Sequence, residues 1–306
     1  MNSFRAHFQK KKVIFVMGAT GTGKSRLSID IATQFPAEII NSDKIQVYKG
    51  LDIVTNKVSE AERKGVTHHL LGEVEPDSDF TAGDFCYQAL LAMEWIVRSG
   101  RVPIIVGGSN SFIEALVEDH FLFKFRANYD CCFIWLDVSS PVLHSSVSER
   151  VDQMVDAGLV DEVRGIFATE ADYARGIRRA IGVPEMDKYL RADIKILDEK
   201  NKDMLLGAAI EEIKANTCHL ASRQREKIKR LRNELRWAIH RIDATRVFEK
   251  CGQDVDKAWE ELVVKECLEI VGDFLHDDDK IVAAASATIT SAASMKRSFE
   301  ELQVTD

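Results

Sequence analysis

Residues 11–35, KKVIFVMGATGTGKSRLSIDIATQF, constrain the fold of this chain more than any other stretch. An apolar run, KKVIFVM, leads into GATGTGKS, and an amphipathic segment follows. Gly18, Gly23, Lys24 and Ser25 satisfy G-x-x-x-x-G-K-[ST] between a strand and a helix. Glycines at these positions let successive backbone N–H groups turn inward, which makes an anion nest at a helix N-terminus. The spacing therefore predicts a phosphate site over Gly18, Ala19, Thr20, Gly21, Thr22, Gly23, Lys24 and Ser25. Lys24 adds a point charge, and the Ser25 hydroxyl is placed to meet Mg²⁺. Such a nest does not select among ATP, a phosphosugar or an allylic diphosphate.

The rest of the chain alternates in a way that extends this unit. Residues 12–17, 37–43, 101–110 and 131–139 read as buried parallel strands, with 66–74 a candidate further strand. Helices are predicted over 24–34 and 81–100, the latter with Thr81 as N-cap and Gly100 at its end. Alternation of this kind predicts a P-loop NTPase-like parallel sheet flanked by helices. Beyond 140 the strand signal fades. A helical segment breaks near Gly158, a long helix covers 202–235, a strand returns over 236–243 and a last amphipathic helix covers 256–275. The predicted organisation is a P-loop α/β core over 11–140 and a mostly helical second lobe over 141–235. A return strand and closing helix follow over 236–276, then a weakly ordered tail over 277–306.

Charge and cysteines narrow the functional classes. The formal net charge of −8 disfavours generic attraction to nucleic acid. No apolar run is long enough to span a bilayer. The six cysteines form no C-x-x-C pair and read as buried or half-buried thiols rather than a zinc site. The run Asp277-Asp278-Asp279 reads as a solvated charge cluster, and the basic start MNSFRAHFQKKK shows no signal-peptide core. A hydrolase would pair the loop with an apolar run ending in Asp, for which Asp137 in FIWLD is the candidate. Asp43 closes the second strand, at the edge where an open parallel sheet binds its ligands.

Eight stretches in order carry a resemblance: GATGTGKS, NSDKIQVYKGLDIVTNK, HHLLG, FTAGDFC, IIVGGSNSF, GLVDEV, GIRRAIGVPE and NTCHLASRQREKIKRL. Together they resemble the isopentenyltransferase family, dimethylallyl transferases that prenylate the N6 amine of adenine. The likeness runs over about residues 12–245. Within the family the wording is similar to the plant adenylate isopentenyltransferases, which begin cytokinin synthesis on free AMP, ADP or ATP. A sister branch acts on an adenosine in tRNA. Its eukaryotic members usually carry a zinc finger not seen in this sequence, whereas its bacterial members lack one. The acidic charge and the GIRRAIGVPE wording favour the free-nucleotide branch.

The resemblance implies that the loop holds dimethylallyl diphosphate as a leaving group, with Mg²⁺ as cofactor through Ser25. It implies Asp43 as the general base toward the adenine amine, Thr20 near the reacting bond and Arg223 near the diphosphate. Arg178 and Arg179 are expected to meet acceptor phosphates, with Lys227 one turn beyond Arg223 on the acceptor side. Ser109 and Asn110, after a glycine turn at the ligand edge, are placed either to hydrogen-bond adenine or ribose or simply to form the turn. Arg225, Arg230 and Arg232 are read as a solvated basic face, and His68 and His69 receive no role. The expected enzyme is a monomer in plastid or cytoplasm, without membrane or nucleic-acid partners, its lobes closing around a channel. A tRNA dimethylallyltransferase, a P-loop small-molecule kinase and a silent nucleotide-binding module remain as alternatives.

Overall fold

The computed structural model describes residues 10–119, 124–194, 199–252 and 254–276. The run 277–306, with Asp277–Asp279 and the expected tail, lies outside the described residues. In chain order the elements are β1 (Lys11–Gly18), α1 (Lys24–Gln34), β2 (Ala37–Asn41), β3 (His68–His69), α2 (Ala82–Arg98) and β4 (Val102–Gly107). Next come α3 (Asn110–Val117), α4 (Phe125–Asn128), β5 (Tyr129–Asp137), α5 (Ser140–Asp156) and α6 (Leu159–Ile166). A 3₁₀ turn (Gly176–Arg179), α7 (Asp187–Ile194) and α8 (Glu199–Asn233) follow, then β6 (Ile239–Asp243), α9 (Thr245–Phe248) and α10 (Asp254–Trp259). A compact unit running to Cys267 holds all of them; a second unit begins at Leu268.

Six strands form one sheet in the order β3-β2-β4-β1-β5-β6, and every pairing is parallel. The strands are apolar runs because helices cover both faces: Val13, Ile14, Phe15, Val16 and Met17 are all fully buried in β1. Phe15 stacks on Phe133 at 4.8 Å between ring centres, tying β1 to β5 in the core. The register sets Gly18 beside Leu136, Asn41 beside Val106 and Met17 beside Gly107. The phosphate loop, the segment after β2, the Gly107-Gly108 turn and Asp137 therefore emerge along one carboxyl edge. That edge is where parallel sheets collect ligands.

Local signals hold at several ends. Thr81 and Asp84 form a reciprocal capping box on α2, and Gly100 ends it in the left-handed region at φ 73°. α5 and α6 part at Gly158, φ 106°. Two expectations change. The strand read over 66–74 shrinks to His68–His69, because the rest of that stretch turns back to hydrogen-bond the 46–49 backbone. The single closing helix is interrupted by a π-helical turn at Glu260–Val264.

Arg225 is also placed differently from the solvated face expected of it. Its Nε donates to Asp137 Oδ1 at 2.8 Å and its NH2 to Oδ2 at 3.2 Å. Arg241 Nε reaches the same Oδ2 at 2.8 Å. Asp137 is 2% exposed, so its carboxylate is committed to two guanidiniums that join α8 and β6 to β5. Arg230 likewise pairs with Glu114. Removing the Asp137 carboxylate leaves two cations beside a dry strand end. Asp137→Ala should lower the unfolding free energy by about 2–3 kcal/mol, less than a fully enclosed pair because both arginines reach solvent. Urea denaturation followed by circular dichroism measures it, and a loss under about 0.5 kcal/mol would remove the pair from the framework.

Candidate active site

The GATGTGKS loop turns because two of its glycines sit where other residues would be strained. Gly21 has φ 85° and Gly23 φ 87°. A Cβ on Gly23 would also meet the Trp259 ring at 2.7 Å. Thr22 Oγ1 and Lys24 Nζ both donate back to the Ala19 carbonyl, at 3.0 and 2.6 Å. Burial lowers the Lys24 pKa to about 8, against the opposing pull of Asp43 and with a smaller push from Arg150.

α8 closes the other side of the loop. Gln224 Oε1 accepts the Thr20 N–H at 2.7 Å, and the Gln224 carbonyl accepts from Asn110 Nδ2 at 3.1 Å. Its amide fills the space above Gly108, where a Cβ would lie 2.3 Å from Nε2. Thr20 Oγ1 accepts from Arg150 NH2 at 2.8 Å. The Arg150 Nε is buried with no partner among the described residues, and burial lowers this guanidinium's pKa.

Between these elements lies a cleft of about 510 Å³. Thr20, Gly21, Gly23, Lys24 and Ser25 line it from the loop, and Asp43, Arg179 and Arg223 from other elements. Among the described residues six cations line it, namely Lys24, Arg26, Lys44, Arg150, Arg179 and Arg223, and Asp43 is the only carboxylate. Arg223 has no acidic partner among the described residues, whereas Arg26 is paired with Asp256 at 2.9 Å. Ile45, Val54, Val151, Met154, Ile181 and Ile213 supply an apolar wall. A wider cavity of about 750 Å³ shares Asn56, Arg150 and Met154 with it.

Asp43 is oriented by an Asx turn. Its Oδ1 accepts the N–H of Ile45 at 2.9 Å and of Gln46 at 3.3 Å, leaving Oδ2 with no protein partner among the described residues. Ser25 also lines the cleft, and its hydroxyl has no partner among the described residues.

Other sequence-selected residues stand outside the cleft lining. Arg178 pairs with Asp77, while its neighbour Arg179 bonds the Tyr48 hydroxyl at 3.0 Å and does line it. Lys227 pairs with Glu114 at 3.1 Å. Ser109 Oγ accepts the Lys44 N–H at 3.0 Å, and Asn110 is buried against α8. These two fasten the turn rather than face the cleft. Gly18, Ala19 and Thr22 shape the loop from behind. Arg150, Gln224 and Gln46 went unread in the sequence. Arg150 sits in an ordinary amphipathic helix, and Gln224 adjoins Arg223 without any spacing of its own.

Known proteins carry the same elements. The family model for IPP transferase matches residues 46–125 and 122–231. Adenylate isopentenyltransferase 5, chloroplastic, of Arabidopsis thaliana is 58% identical over 281 residues, covering 91% of this chain and 84% of the relative. Adenylate isopentenyltransferase 7, mitochondrial, of the same plant is 51% identical over 274 residues, covering 89% and 83%. Among solved structures, a eukaryotic dimethylallyltransferase acting on tRNA shares the fold with a TM-score of 0.73 at 24% identity, over 88% of this chain and 80% of that one. A parallel sheet with its phosphate loop closed by a long helix, and sequence identity along most of the chain, lead to one assignment: the protein belongs to the IPP transferase family.

Proposed function

We propose that the chain transfers the dimethylallyl group of dimethylallyl diphosphate to the N6 amine of a free adenine nucleotide, AMP, ADP or ATP, releasing diphosphate. One observation carries the reading: a cleft of six cations holds a single carboxylate, Asp43, whose Oδ2 is uncommitted, across from a phosphate loop. The names of the 58% and 51% identical relatives point the same way. They also carry the choice of an organelle, the plastid first, as the compartment.

An exocyclic amine is a poor nucleophile because its lone pair is delocalised into the ring. As N6 bonds to carbon 1 of the allyl unit, the carbon–oxygen bond breaks and its electron pair leaves on diphosphate. Asp43 Oδ2 takes one N6 proton. The backbone N–H groups of residues 21–25, Lys24, Arg223 and Arg150 stabilise the charge gathering on the leaving group. Thr20, held by Arg150 and Gln224, stands beside the bond that breaks. The apolar wall receives the five-carbon tail and keeps water from the allylic carbon. Mg²⁺ fits the Ser25 hydroxyl: no cluster of three acidic, histidine or cysteine side chains among the described residues could hold a metal. A magnesium ion bound mainly by substrate phosphates needs no such cluster. Bound there, the ion would neutralise diphosphate charge. Arg179 and Lys44 are the cleft cations left for acceptor phosphates.

Incubation with labelled dimethylallyl diphosphate, Mg²⁺ and either ADP or tRNA tests the reading, with products identified by mass. Prenylated ADP is expected, and product on tRNA alone overturns the free-nucleotide choice. Asp43→Ala should lower kcat at least about 100-fold while leaving donor affinity within about threefold, as expected for loss of a general base.

Lys24 gives a pH dependence. Burial favours its neutral form, so in the free protein it loses its proton as pH rises through about 8. A bound diphosphate favours the ammonium, so binding takes up a proton above that pH and weakens by about tenfold between pH 7 and 9. Titration calorimetry with pyrophosphate reads both effects. Pyrophosphate's own last ionisation acts in the opposite direction, so Lys24→Arg, which does not titrate, is the control. Equal pH slopes for the two proteins would show that Lys24 is not the titrating group.

A further inference from the structure

Gln46 lines the cleft one turn beyond Asp43 and is tied to it by its own N–H. Its side-chain amide is fixed by chemistry. Nε2 donates to the carbonyl oxygens of Thr55 and Asn56, both at 3.0 Å. Carbonyl oxygens only accept, so the nitrogen must face them, and both of its hydrogens are used. Oε1 is left as the uncommitted end. It has no partner among the described residues and is not among the sealed-off polar atoms.

The segment that imposes this orientation is itself held. Glu162 on α6 accepts the N–H groups of Ile53 and Val54, at 3.0 and 2.8 Å, one on each carboxylate oxygen. Lys57 donates to the Gly50 carbonyl, to Asp52 and to Thr55 Oγ1. The Thr55 and Asn56 carbonyls thus cannot swing away to let the Gln46 amide turn over.

We propose that Gln46 Oε1 is a specificity-determining acceptor for the exocyclic amine of the acceptor base. The proposal rests on the reading above that adenine N6 is the nucleophile. Both N–H bonds of that amine lie in the ring plane, and the attacking lone pair is normal to it. Two in-plane acceptors therefore grip the group without blocking attack. Asp43 Oδ2 takes the hydrogen that leaves as a proton when the N6–C1 bond forms. Gln46 Oε1 holds the hydrogen that stays on N6 in the product. A 6-oxo purine presents only an acceptor oxygen to these two acceptors and is repelled by both. The site accordingly takes 6-amino purine nucleotides and rejects those of inosine and guanosine.

Binding of ATP and ITP to the full chain without prenyl donor, read by titration calorimetry, tests this. The wild type should bind ATP at least about tenfold more tightly, the worth of one acceptor–donor match against an acceptor–acceptor clash. Gln46→Lys keeps donors for the two carbonyls but carries no acceptor, and should shift the ATP-to-ITP ratio toward ITP by at least about tenfold. Gln46→Leu removes both functions and should narrow the ratio to what Asp43 alone sustains. Either variant keeping the wild-type ratio overturns the assignment. The wild type gives an arm free of folding effects: purine riboside triphosphate, with hydrogen in place of the amine, should bind about tenfold more weakly than ATP, and equal binding overturns the proposal. If ADP is prenylated while the ratio ignores Gln46, this assignment alone fails. If no adenine nucleotide is bound or prenylated, the functional reading itself has failed.

Discussion

Three consecutive residues of α8 hold the site together, and the carboxylate of Asp137 anchors them. A helix turns about 100° per residue, so neighbours on it reach in different directions. Arg225 locks onto Asp137, Gln224 takes the Thr20 amide and packs over Gly108, and Arg223 is left in the cleft. A phosphate loop alone is an open nest. Here the clasp makes it one wall of a cleft with an opposite wall. It also removes Asp137 from chemistry. At the end of an apolar strand beside the loop, an aspartate would serve a hydrolase through metal and water. Bound to two guanidiniums, its carboxylate is committed to holding α8 and β6 to β5.

The net charge of the chain says little about the place where charge matters. A protein of formal charge −8 gathers six cations around one carboxylate. The environment then tunes them unequally. Lys24, enclosed by the loop, is lowered to about 8 and folds onto the Ala19 carbonyl, so it is a charge that a ligand recruits. Arg150 is held against Thr20 with an orphaned Nε. Guanidinium keeps its charge at any working pH, so Arg150 is a fixed donor where Lys24 is a conditional one. In the proposed reaction the leaving diphosphate meets both kinds.

Much of this was legible in the sequence where the signal is local. The strand–loop–helix around GATGTGKS, the caps of α2 and the break at Gly158 are written in neighbouring residues. Asp43 was readable because a strand end in a parallel sheet has a known destination. What escaped is tertiary. The Arg150–Thr20 and Gln224–Thr20 bonds join residues 130 and 204 positions apart, and no spacing announces them. Arg225 lay in a basic run whose partners belong to other elements. Arg178 and Arg179 could not be told apart, since only the 3₁₀ turn decides that one faces Asp77 and the other Tyr48. The two-residue β3 fell short of its apolar run because backbone bonds to the 46–49 segment were the stronger claim.

The loop that first fixes the fold is the least selective part of the site. Backbone N–H groups and a lysine welcome any phosphate, and both proposed substrates carry phosphates. Discrimination has to come from groups whose direction is set, and those lie after β2. There Asp43 has one oxygen consumed by two backbone amides and Gln46 has its nitrogen consumed by two carbonyls. In each case the backbone takes the half of the side chain that would blur recognition and leaves a single acceptor. Two such acceptors in one turn define where an amine can sit, and so which end of a nucleotide can approach the allylic carbon. On the proposed reading, the anion nest determines where the leaving group rests, and the geometry after β2 determines what may attack it.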